Sequence, residues 1–186
     1  RCMATRWEQS VDCPYLYAGP ARAADAASWK QAARAELAST VRGAEFAQSL
    51  LDLVKAVDRI PHHLLVQEAI ELGYSLWMLR LSLAAYRAQR VLRLDGAVSS
   101  VVLALRGLTA GAGHATSEMR VMLIRIVDGV LATHRRITAT LYVDDLTLEM
   151  IGTSKRIVKT LGDATLKVCG DMEAMLFEVS RKKRMC

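Results

Sequence analysis

Tyr142-Val143-Asp144-Asp145 sets two adjacent acids between two β-rich arms in ITATLYVDDLTLEM. An Asp-Asp pair at a tight turn is compatible with a plain solvated hairpin, because Asp favours turns. A third acid, Asp52, interrupts the otherwise apolar run SLLDLV near the end of a predicted strand. If that strand lies beside the hairpin, three carboxylates converge at one edge of a sheet. Such a cluster repels itself unless divalent cations neutralise it, and hard oxygen donors of this kind prefer magnesium, with manganese as the alternative. Two such ions about 4 Å apart can activate a hydroxyl and stabilise a leaving pyrophosphate in an in-line displacement. The competing reading pairs Asp52 with Lys55 or Arg59 in a structural ion pair.

The elements that must position these acids follow from periodicity and punctuation. Pro14, Gly19 and Pro20 mark an irregular opening segment. ARAADAASWKQAARAELASTV, residues 21–41, reads as a helix closed by Gly43. AEFAQSLLDLV is short and apolar, as a buried strand ending near Asp52 would be. Pro61 opens the helical stretch HHLLVQEAIEL, Gly73 breaks it, and SLWMLRLSLAAYRA continues as a second helix. RVLRLDGAVSSVVLAL is a hairpin candidate with Asp95-Gly96 at its turn. In ATSEMRVMLIRIVDGVLATH, Met119, Met122, Leu123, Ile126 and Val130 share one helical face. The hairpin joined at Asp144-Asp145 follows, then a helix from Ser154 to about Phe177 and a short strand near Glu178. After the first helix the order is β-α-α-β-β-α-β-β-α-β. That is an α+β fold, an antiparallel sheet backed by helices on one face, and not a doubly wound sheet.

Composition narrows the class. At 186 residues, 52% hydrophobic and 24% charged, the chain can bury a sizeable core and is not of disordered composition. Aromatics make up only 5%, which argues against a single-strand binder built on stacking platforms. The net charge of +6 and pI of about 9.4 suit a polyanionic partner, although charge alone leaves an ordinary basic protein as good a reading. Cys2, Cys13, Cys169 and Cys186 form no metal-ligand or CxxC spacing, which points to a reducing intracellular compartment. No run of about 18 apolar residues appears, so no membrane span is expected. RCMATRWEQS lacks a signal-peptide core, and the Arg start and RKKRMC end read as a piece of a longer polypeptide. His62, His63, His114 and His134 lack zinc-ligand spacing and are expected at the surface or at helix ends.

Several segments together resemble one family. LLDLVKAVDRIPHHLL is similar to the first palm motif of reverse transcriptases, of the form LDxxKAFDxxxHxxL. GLTAGAGHAT stands where these enzymes carry a Gly-rich loop of the form GxPQGxxxSP, and LYVDDLTLEM matches their YxDD hairpin. LFEVSRKKRMC resembles a later segment with an Asn/Ser-x-x-Lys pattern, and YLYAGPARAADAASW more faintly resembles the finger element GFRxGRSTxDA. The likeness runs from about Tyr15 to Cys186 and is nearest to non-LTR retrotransposon and group II intron enzymes.

The resemblance implies a polymerase palm over residues 45–186, a partial fingers element over residues 1–44, and no thumb. It implies an RNA-directed DNA polymerase in nucleus or cytoplasm, using two magnesium ions, an RNA template with a DNA primer, and dNTPs. Asp52, Asp144 and Asp145 would hold metal, and Leu53 would offer a backbone amide to the triphosphate. Gly111 would belong to the loop touching template and nucleotide. Lys183, or its neighbour Lys182, would donate a proton to pyrophosphate, and Asp58 would anchor the turn into Pro61. Three departures stand out. Val57 replaces the bulky residue that blocks a ribose 2′-hydroxyl, and Thr109 and Ala110 replace the loop's Pro and Gln. The finger residues that would grip the triphosphate reduce to Arg22. Those departures make a catalytically inactive relic of a retroelement the alternative, with an RNA-dependent RNA polymerase palm a more distant third.

Overall fold

The computed structural model describes residues 2–18 and 22–180. Helix α1, Cys2–Ser10, occupies the segment expected to be irregular; Ala4 and Trp7, one turn apart, bury against the body. Helix α2, Ala24–Thr40, leads into strand β1, Glu45–Leu51. A short helix α3, Ala56–Arg59, precedes α4, His62–Glu71, and α5, Leu76–Tyr86. Strands β2, Arg93–Leu94, and β3, Ala97–Val98, turn at Asp95 and Gly96 with φ of 48° and 85°. Positive φ at both central residues is what an Asp-Gly hairpin turn requires. Helix α6, Ala115–Thr133, then leads to β4, Thr138–Tyr142, β5, Asp145–Gly152, and α7, Ser154–Ala174.

The result is a mixed α/β fold with small antiparallel sheets. The main sheet has the order β1-β5-β4, so β5 is central and pairs antiparallel with both neighbours. Residues 15–17 extend it beyond β4 through a parallel bridge between Leu16 and Leu141. The strand expected near Glu178 is one bridge, Val179 to Leu53.

Side chains alternate across a strand, so the register sorts the sheet into two faces. Leu51, Ala139, Leu141, Leu146, Leu148 and Met150 share one face, which is buried beneath α6 and α7. The other face carries Leu50, Thr140, Thr147 and Glu149 and is crossed by α2, whose Arg34 reaches Glu149. Helices therefore cover both faces, where the sequence suggested one. The reason is Glu149: an acid in the middle strand needs a cation, and α2 brings it.

Candidate active site

Strand β1 ends at Leu51, which pairs with Leu146, so the next residue, Asp52, stands opposite Asp145 at the start of β5. Asp145 also pairs with Tyr142 at the end of β4. By alternation Asp52, Asp145 and Tyr142 share the α2-covered face. Side chains directly opposite on antiparallel strands sit about 5 Å apart at Cβ. Together with Ser28, Gln31 and Thr140, these residues line a cleft of about 310 Å³ between α2 and the sheet end. Asp52 is half-buried and Asp145 exposed, so the pair opens to solvent without being loose on it.

Asp144 sits in the turn, half-buried, and is not among the cleft's lining residues. The turn itself is Val143-Asp144; Asp145 already belongs to β5, one residue from the expected division. Val143 has φ of 56°, a left-handed conformation that costs a β-branched residue roughly 1–3 kcal/mol. Its side chain packs against the core and lines a small crevice with Leu16, Leu141 and Arg120. Arg120 is itself buried behind the hairpin, donates to the Ala18 carbonyl, and lies 3.9 Å from Glu8.

Residues beyond the expected acids also shape this face. Glu149 is 1% exposed and takes a 2.6 Å hydrogen bond from Arg34 Nε. Burial pushes the Glu149 carboxyl above the usual carboxylate range, and Arg34 pulls the other way. Ser28 and Gln31, the polar wall opposite the acids, come from α2, and nothing local in an Ala-rich helix marks them as facing a cleft.

The expected nucleotide-contacting residues fall into a second group. Leu53 is buried and bridges to Val179 through bonds from Val54 N–H to the Glu178 carbonyl and from Ser180 N–H to the Asp52 carbonyl, each 2.8 Å. That pattern turns the Leu53 amide away from the 178–180 segment. Val57 is half-buried, and its carbonyl accepts from Leu108 N–H at 2.8 Å. Thr109 to Ala112 form a turn closed by a 2.9 Å bond, with Gly111 at φ 80° in the position that needs a positive φ. Ala110 and Gly111 are exposed, and neither they nor Val57 line the cleft of Asp52 and Asp145.

Arg22 is engaged elsewhere. Its guanidinium donates to the carbonyls of Cys13 and Leu16 at 2.6 and 2.8 Å and to Asp12 at 2.8 Å, which ties down the loop before α2. Asp58 contributes backbone to its surroundings: its carbonyl is what a Cβ on Gly107 would strike. Arg59 pairs with Glu178. Lys182 and Lys183 lie outside the described residues. His62, His63, His114 and His134 all lie at helix ends as expected, His62 buried there at 1% exposed.

Two carboxylates that line one cleft offer oxygen donors of the kind a hard divalent cation takes. Among the described residues, no group of three or more His, Cys, Asp or Glu side chains is arranged to hold a metal ion. Of the three acids expected to converge, Asp52 and Asp145 share the cleft and Asp144 adjoins it at the turn. No helix among the described residues is long and apolar enough to cross a membrane. The chain matches no protein-family model and no curated protein sequence.

Proposed function

We propose that this chain is the palm-containing part of a reverse transcriptase, an RNA-directed DNA polymerase that extends a DNA primer on an RNA template. One observation carries the proposal: Asp52 and Asp145, 93 positions apart in sequence, line one cleft, each one residue beyond the Leu51–Leu146 pair. Had Asp52 faced the core with Leu51, the acids could not act together.

In this reading the 3′-hydroxyl oxygen attacks the α-phosphorus of a dNTP, the bond to pyrophosphate breaks, and the hydroxyl proton is lost. Two magnesium ions would activate the hydroxyl and stabilise the leaving pyrophosphate. Asp52 and Asp145 would hold them, with Asp144 as the third ligand at the turn. The chain's own contribution is placement. Asp52 is fixed by the end of β1 and by Ser180, and Asp145 by its pairing with Tyr142. Leu53 would present its amide to the triphosphate, and Val57 would lie against the ribose without excluding a 2′-hydroxyl. Gly111 would let the loop backbone approach the template and nucleotide closely.

A second reading, an inactive relic that keeps the fold, is favoured by the engagement of Arg22 with its own loop. The departures at Val57, Thr109 and Ala110 point the same way. Primer extension on an RNA template with magnesium separates the two, with dNTPs and rNTPs supplied in parallel. Polymerase activity predicts dNTP incorporation that falls by at least about 100-fold in Asp52→Asn and in Asp145→Asn, since each removes several kcal/mol of charge stabilisation. Their circular dichroism should match the parent chain. No incorporation by the folded parent chain supports the relic, and preferential rNTP incorporation supports an RNA polymerase.

A further inference from the structure

The start of the 107–113 loop is held by a buried histidine whose protonation state its partners dictate. His62, the first residue of α4, is 1% exposed. Its Nε2 lies 2.8 Å from the Gly107 carbonyl, and its Nδ1 lies 3.1 Å from Arg87 Nε. A carbonyl can only accept and a guanidinium can only donate. The ring must therefore donate at Nε2 and accept at Nδ1, which makes it the neutral, Nε2-protonated imidazole. Tyr86 lies beside it, ring centroids 6.2 Å apart.

The histidine closes a set of contacts that dock the loop on the α3–α4 corner. Gly107 N–H donates to the Ile60 carbonyl and Leu108 N–H to the Val57 carbonyl, each at 2.8 Å, and Arg106 bridges to Pro61. Gly107 has φ of 89° and no room for a side chain: a Cβ there would lie 2.6 Å from the Asp58 carbonyl oxygen. The loop backbone is thus pressed onto the segment that carries Val57.

We propose that His62 is a positioning residue, held between the Gly107 carbonyl at Nε2 and Arg87 at Nδ1 in its Nε2-protonated form, that sets the 107–111 loop against Val57. Through this contact the residues expected to touch the ribose and the template move as one unit. The consequence for nucleotide binding rests on the polymerase reading; the tautomer and the loop docking do not.

Three measurements on the full chain test it. Long-range nitrogen NMR should show the His62 Nδ1 resonance in the unprotonated range and Nε2 in the protonated range. Replacing the exposed Arg87 by Met should leave the fold intact and keep Nε2 protonated, because the Gly107 carbonyl still accepts there, while the Nδ1 resonance moves with the loss of its donor. Hydrogen exchange across residues 107–112 should be about five- to tenfold faster in His62→Leu, the loss of roughly one hydrogen bond, while α6 keeps its protection. His62→Gln, which retains a donor near the Nε2 position, should restore most of it. In primer extension, His62→Leu should raise KM for dNTP more than it lowers kcat, again with rescue by Gln. A doubly protonated or Nδ1-protonated ring, an Nδ1 resonance unmoved in Arg87→Met, or unchanged loop exchange in His62→Leu would overturn the proposal. A parent chain that incorporates no nucleotide, with the resonance and exchange results as expected, would sink the polymerase reading and leave the positioning role standing.

Discussion

Glu118 is fully buried on α6, where its Oε2 accepts a 2.6 Å hydrogen bond from the Tyr86 hydroxyl. Burial raises its carboxyl above the ordinary value of 4.5, while hydrogen bonds from Ser82 and Tyr86 and the nearby His114 oppose the rise. A raised folded-state pKa means that folding favours the protonated acid. Its stabilising contribution is complete below pH 4.5 and is lost as pH climbs through the raised value. Glu118→Gln keeps an acceptor for Tyr86 and removes the titration. Its thermal stability should therefore fall less than that of the parent chain between about pH 4.5 and 8. Glu149, also raised by burial, remains in both proteins and cancels in the comparison. Identical pH slopes in the two proteins would show that folding leaves the Glu118 carboxyl unshifted. Neither acid announces its burial in sequence. Arg34 and Glu149 are 115 positions apart, and Glu118 sits in a helix whose apolar residues already account for its packing. Asp52 was legible for the opposite reason, as the single charge closing an apolar strand.

At the level of elements, the loop between the β2–β3 ribbon and α6 separates two kinds of glycine. Gly107 has φ of 89° with the Asp58 carbonyl in the path of any Cβ; Gly111 has φ of 80° and open space around it. Gly111→Ala should cost about 1 kcal/mol, the usual penalty for a left-handed non-glycine residue. Gly107→Ala adds a backbone overlap to that strain and should cost about 3 kcal/mol or more. Urea unfolding of the two variants measures the difference; equal costs would mean that the loop lifts off the α3–α4 corner easily. Most elements could be anticipated because their signals are local. Asp95-Gly96 dictates its own hairpin, and Pro61 and Gly73 bracket α4. The YVDD turn came out one residue early because it places a β-branched residue, Val143, at a positive φ that local rules disfavour. What holds it there is tertiary: the Val143 side chain packs against the core beside Leu141, which bonds to the Tyr15 and Tyr17 backbone.

For the whole molecule, the side of the sheet on which α2 lies was the feature that sequence reading missed most. An Ala-rich helix has too weak a stripe to declare which face it covers, and its decisive contact, Arg34 to Glu149, spans the chain. The consequence is one continuous core, running from Ala4 and Trp7 in α1 through Met119 and Leu123 in α6 to Val179. A single core predicts a single cooperative transition. Trp7 is its reporter: 6% exposed, bonded through Nε1 to the Leu72 carbonyl at 2.9 Å, and edge-on to Tyr74, whereas Trp29 and Trp77 are mostly exposed. Tryptophan fluorescence and far-ultraviolet circular dichroism should therefore give coincident urea transitions. Met119→Ala, at a fully buried site, should shift both by about 2–5 kcal/mol. The β2–β3 ribbon should behave differently. Leu92, Leu94, Val98, Leu103 and Leu105 are all more than half exposed, and pairing there is limited to short segments. Its amides should exchange through local opening at rates that Met119→Ala leaves unchanged. Separate transitions for the two probes would mean that α1 and its tryptophan fold apart from the sheet. Ribbon exchange that accelerates with the core mutation would mean that the ribbon opens only when the whole chain unfolds.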